Sequence, residues 1–246
     1  MLSFASLIRS LTIAGVVIGA VALMPAAAGA STITFTTTSP NSASATLTTS
    51  LNTITLALKN TTDNPTDASD LLTGFGFIIL PALSGGTLSA GTGLIRTINS
   101  DGTFTDAGIQ SIIDPNEWEL ESRAPWTYFI TGLNAQPDFN VIGAPDSNNV
   151  YSNANSSLTN GSHNPTTAIN ASFTFTVAGV TDQTLITSAG FRFGTAPNDG
   201  FQPGTSCTDC VPVQLLVSST PEPASMVLLG TGLVGLAVVA RRRRKS

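Results

Sequence analysis

At 246 residues, with 10 Lys and Arg against 15 Asp and Glu, the chain is acidic, with a formal charge of −5. That balance opposes binding to nucleic acid or anionic lipid, which demand a basic surface. Two cysteines and one histidine exclude a disulfide-dense scaffold and leave too few ligands for a zinc site, so no metal or cofactor is expected.

Residues 1–30 carry one charge, Arg9, then the apolar run Leu11 to Met24, then Pro25-Ala26-Ala27-Ala28-Gly29-Ala30. A positive start, a short apolar core and a small-residue site make a secretory signal peptide. Ala28-Gly29-Ala30 is an A-x-A site, which predicts cleavage by signal peptidase before Ser31. The apolar run is short for a membrane span, and Pro25 ends it.

Residues 31–220 are the exported domain, about 190 residues and enough to bury one core. Its Lys59, Arg96, Arg123 and Arg192 face 14 Asp and Glu, a net charge of −10. Composition is rich in Thr, Ser, Asn and Gly. Several segments alternate apolar and polar with period two: Thr32 to Thr36, Thr53 to Lys59, Gly74 to Leu80, Ser172 to Val177, Phe191 to Phe193 and Val211 to Val217. Phe75, Phe77 and Ile79 fall on one face. Such strands, separated by Gly, Asn and Pro turns, predict an all-β, antiparallel β-sandwich of jelly-roll or immunoglobulin-like type. Asp67 to Leu72 reads as a helical turn. No fixed repeat appears, which argues against a solenoid or propeller. Residues 132–167, dominated by Asn, Ser, Pro, Gly and Asp, read as a long surface loop.

Chemistry is sparse. There is no G-x-S-x-G, and a Ser-His-Asp triad would have to use His163, which reads as a loop-fixing residue. Asp114, Glu117, Glu119 and Glu121 form an acidic run. On a strand the three glutamates share one face and Trp118 and Leu120 the other, a solvated face and not a pair flanking a cleft. No D-x-D-x-D-G calcium loop is present. Trp118, Trp126 and Tyr128 are candidates for a sugar-stacking platform, against a competing assignment to the core. Cys207 and Cys210 stand in a Gly/Pro/Ser loop with no helix after them. In an oxidising compartment they are expected to pair as a local disulfide that stiffens a turn.

The tail, residues 221–246, has three parts in order. Pro221-Glu222-Pro223 stays extended because proline cannot continue a helix. Ala224 to Ala240 carries no charge, and as a helix it is about 25 Å long, at the short end for crossing a bilayer. Arg241 to Lys245 form a basic stop that stays cytoplasmic. This order resembles the PEP-CTERM sorting signal of bacterial exported proteins. Leu56 to Thr66 and Gly161 to Pro165 are similar, more loosely, to segments of proteins with that signal.

The resemblance implies processing by exosortase at Pro221, Glu222 and Pro223, with transient anchoring in the inner membrane. It implies delivery to the cell surface or extracellular matrix of a Gram-negative bacterium, in an exopolysaccharide or biofilm setting. It implies no chemistry for the body. The leading expectation is a structural or adhesive surface protein without enzymatic activity, with exopolysaccharide as a partner. A carbohydrate-binding module is the alternative, and a glycoside hydrolase ranks third.

Overall fold

The computed structural model describes residues 29–113, 117–133, 138–195 and 200–206, all within one compact unit, Ala28–Thr220. Ala28, Cys207, Cys210, Pro221, Glu222, Pro223, the strand expected at Val211 to Val217, and the segments expected to form the signal and membrane helices lie outside these residues. Among the described residues no helix is long and apolar enough to cross a membrane.

The period-two segments within the described residues become strands. β1 (Ser31–Thr37), β2 (Ala43–Ser50) and β3 (Thr53–Asn60) form an antiparallel meander. β-Branched Thr suits the pleat, while Phe35, Leu47, Ile54, Leu56 and Leu58 face inward and are buried. After β3, Ala68–Asp70 form the expected helical turn, of 3₁₀ type. Asp67 caps it by accepting from Ser69 N, and Asp70 reaches back to Asp67 N, so both ends of the box are satisfied.

β4 (Leu72–Leu80), β5 (Thr87–Ile98), β6 (Phe104–Ser111), β7 (Glu119–Glu121), β8 (Tyr128–Thr131) and β9 (Val141–Ile142) follow. The single described α-helix, α1 (Ser156–Thr159), then precedes β10 (Thr166–Thr176), β11 (Leu185–Phe193) and β12 (Phe201–Ser206). All twelve strands among the described residues belong to one sheet, ordered β6-β5-β10-β3-β2-β1-β12-β11-β4-β8-β7. β9 stands off this path and pairs with both β10 and β4. The sheet therefore folds back on itself, and the fold is a mostly-β sheet or barrel. Every ladder is antiparallel except β9 on β10.

The interior is where the two halves of the sheet meet. Phe77 of β4 and Phe175 of β10 lie far apart in strand order, yet their rings pack edge to face at 5.6 Å. Phe75 packs against Phe191 at 5.1 Å. A smaller cluster joins Leu71, Ile98, Ile142, Tyr151 and Leu158.

The segment 132–167, read as a surface loop, carries β9, α1 and the first residues of β10. It also sends Val141, Ile142, Tyr151 and Leu158 into buried positions. Its polar composition conceals this because side-chain hydrogen bonds satisfy the irregular backbone. Asn60 Nδ2 donates to the carbonyls of Asp70 and Val141, both at 2.8 Å, and Tyr151 Oη donates to Gly143 O at 2.9 Å.

Candidate functional site

Of the three aromatics proposed as one platform, two are core residues. Trp118 is 1% exposed, packs on Phe173 at 4.9 Å, and donates Nε1–H to Phe139 O at 3.0 Å. That carbonyl also accepts from Thr167 Oγ1 at 2.7 Å. Tyr128 is 4% exposed, with its hydroxyl donating to Gly85 O at 2.7 Å and Leu83 O at 3.3 Å. Burial pushes its phenol pKa up. Each ring fills an apolar site and satisfies its polar tip, the usual condition for burying Trp or Tyr.

Trp126 lies elsewhere, half-buried on the opposite face of β4 and β11. Its floor is Gly76 and Gly190, which pair directly across the two strands. A Cβ at Gly76 would stand 2.5 Å from Trp126 Cγ and Cδ2, and one at Gly190 would stand 2.7 Å from Cζ2 and Cη2. Both glycines are there because the indole spans the strand pair at backbone distance. Phe201 lies 5.3 Å from Trp126, and the Arg123 guanidinium sits 5.1 Å from Phe201 and 5.3 Å from Phe129. The platform expectation is therefore corrected: the structure does not bring Trp118, Trp126 and Tyr128 to one surface. Tyr128 opens β8 on the inward face, whereas Trp126 precedes the strand and is free to turn outward. We expect Gly190→Ala to lower stability by about 1–3 kcal/mol through overpacking. Chemical denaturation with tryptophan fluorescence would read both the stability loss and the displaced indole.

The acidic run divides. Asp114 lies outside the described residues. Glu119 and Glu121 occupy β7 at one end of the strand order, paired with Thr131 and Phe129, while Leu120 pairs with Ile130 on the inward face. Glu119 is half-buried and Glu121 exposed. The two carboxylates share one side of an outermost strand, as the alternation predicts.

His163 is half-buried near Asp138. Burial lowers the imidazole pKa, and the neighbouring Asp138 pulls it back up. Burial raises the Asp138 carboxyl, and His163 opposes that shift. The backbone beside them is tightly held: Asn164 donates Nδ2–H to Ile98 O at 2.8 Å and accepts Ile98 N–H on Oδ1 at 3.0 Å. This side-chain mimicry of a strand pairing fixes the turn that carries His163 into β10.

Sequence reasoning missed the cluster around Arg96. The guanidinium makes a two-point bond to Asp106, Nε to Oδ1 at 2.7 Å and Nη2 to Oδ2 at 2.8 Å. It donates Nη1–H to Tyr151 Oη at 3.2 Å and stacks 3.6 Å from the Phe104 ring centroid. Arg96 and Asp106 are cross-strand partners on β5 and β6, while Tyr151 comes from the segment read as a loop. Among the described residues no group of three or more His, Cys, Asp or Glu could hold a metal ion.

Against known protein families, residues 219–244 match the PEP-CTERM protein-sorting motif. No curated protein and no solved structure matches the chain. The motif is consistent with an exosortase substrate and implies export and processing at the cell envelope.

Proposed function

We propose that the mature body, Ser31 to about Thr220, is a structural or adhesive protein of the cell surface or extracellular matrix, delivered by its sorting tail. The observation that carries this is the match at residues 219–244. The start of β1 at Ser31 supports removal of the leader at the Ala28-Gly29-Ala30 site, because the first ladder residue, Ser31 opposite Thr49, would be the new N-terminus. The mostly-β body, with Phe77 packed on Phe175 across its interior, supports a two-layer arrangement of the sandwich kind. We take the body to be non-catalytic and free of cofactors, since its one histidine sits in a turn and Glu119 and Glu121 share one side of an outermost strand. Carbohydrate binding through Trp118 and Tyr128 loses its basis, because both rings are buried.

Intact mass of the native surface form tests the route. We expect an N-terminus at Ser31 and a C-terminus at or before the Pro221-Glu222-Pro223 region. A steady-state species that retains Leu228 to Ser246 would make the tail an ordinary anchor.

A further inference from the structure

The outward face of β1, β2, β3 and β10 is a registered array of hydroxyls. One row runs Thr32, Thr48, Thr55, Thr174 across the four strands. The next runs Thr34, Thr46, Ala57, Ser172. Every outward position of β2, from Ser44 to Ser50, is Ser or Thr. Rows repeat about 6.8 Å apart along a strand, and neighbours in a row stand about 4.8 Å apart. Thr32, Thr55, Ala57 and Ser172 of these rows are exposed, and Thr34, Thr46, Thr48 and Thr174 are half-buried.

Two features distinguish this face from an ordinary solvated one. The first is charge. The body carries 14 carboxylates, yet none stands on the outward positions of these four strands, where Lys59 is the one charged side chain. A surface selected only for solubility is rich in charges of both signs. The second is order. Thr32 and Thr48 hydroxyls bond each other at 3.0 Å, as do Thr34 and Thr46 at 2.9 Å. Each paired hydroxyl keeps free acceptor capacity, and β-branched Thr is stiff at χ1. The array is thus fixed in advance, so a partner would not have to order it.

We propose that this hydroxyl face is a docking surface for a neutral polysaccharide. The rows offer donors and acceptors at a regular repeat, matching a polymer that presents hydroxyls at a regular repeat. A carboxylate on the face would have to shed its hydration beneath a neutral chain, and none stands there, while the −10 body disfavours an anionic polymer. Sheet twist of roughly 20° per strand curves the rows, which suits a chain laid across the strands and not a planar ice surface. The inference rests on the reading of the body as a surface or matrix protein, and it uses none of the aromatics considered as a platform.

Affinity electrophoresis of the exported chain in gels containing galactomannan, a neutral β-glucan or a polyuronate tests it. We expect retardation by at least one neutral polymer, weakened at least tenfold by the paired Thr46→Val and Thr48→Val change, abolished by Thr48→Glu, and unchanged by Trp126→Ala. Circular dichroism would verify folding, and Ser172→Asp, at an exposed position, repeats the charge test if Thr48→Glu does not fold. Binding by Thr48→Glu and Ser172→Asp within twofold of the native chain would overturn the proposal. So would retardation by the polyuronate alone, or ice binding without polysaccharide binding. A chain found at the cell surface that no neutral polymer retards would overturn this inference and leave the surface reading standing. Retardation of a chain that is never surface-exposed would support the binding face and remove the surface reading.

Discussion

Replacing Phe77 by alanine is expected to cost about 3–5 kcal/mol of stability and to lower Tm by roughly 10 °C. Phe77 is fully buried and touches both halves of the sheet. Its ring packs on Phe75 at 6.0 Å, on Tyr128 at 5.5 Å and on Phe175 at 5.6 Å. Removing it takes away the apolar transfer energy and leaves a cavity that flanking aromatic rings cannot readily fill. Thermal and urea unfolding of the mature body would measure the loss. A change below about 1 kcal/mol would mean that β4 and β10 do not depend on this contact to stay packed.

Replacing Arg96 by alanine is expected to cost about 3 kcal/mol, the low end for breaking a buried ion pair, because Asp106 remains partly open to water. The arginine side chain is 7% exposed and that of Asp106 33%. The variant strands Asp106, removes the donor to Tyr151 Oη, which keeps its bond to Gly143 O, and uncovers Phe104, which the guanidinium stacks upon. The pair also predicts a pH dependence. The hydrogen bond from Arg96 holds the Asp106 carboxyl below its ordinary pKa. The folded pKa lies below the unfolded one, so the contribution is complete above the ordinary carboxylate range. It is lost as pH falls through the lowered folded value. Unfolding curves between neutral and acid pH should show native and Arg96→Ala proteins converging in acid. Parallel curves would show that the pair carries no pH-dependent stability.

Part of the strand content was legible because a β-strand alternates with period two, and a half-buried sheet writes that period into the chain, whereas β2, β5, β6, β8 and β12 were not read. Thr53 to Lys59, Gly74 to Leu80 and Ser172 to Val177 all read as strands and became β3, β4 and β10. The inward set Phe75, Phe77 and Ile79 was legible for the same reason. Asp67 to Leu72 read as a helical turn, and the structure adds the capping box of Asp67 and Asp70 that closes it. β9 was not legible, because two residues carry no period, and what makes Val141 a strand is the backbone of β10 and β4 on either side of it.

The side chains divide along the same line. The sorting motif depends on local order alone: two prolines, an uncharged run and a basic end, each acting through a property of its own residues. The sorting signal, which implies export and exosortase processing, is therefore carried by the sequence alone. Trp118, Trp126 and Tyr128 are close in sequence, but strand pleat and loop exit sent Tyr128 inward and Trp126 outward, a choice made by Gly76 and Gly190 on distant strands. Arg96 found Tyr151, 55 positions further along the chain. The hydroxyl face exists only because the registers of β1, β2, β3 and β10 bring every second Thr into the same row. Period two can mark those threonines as outward. Only pairing between strands, set by non-local hydrogen bonds and by burial of the opposite face, decides which of them stand side by side.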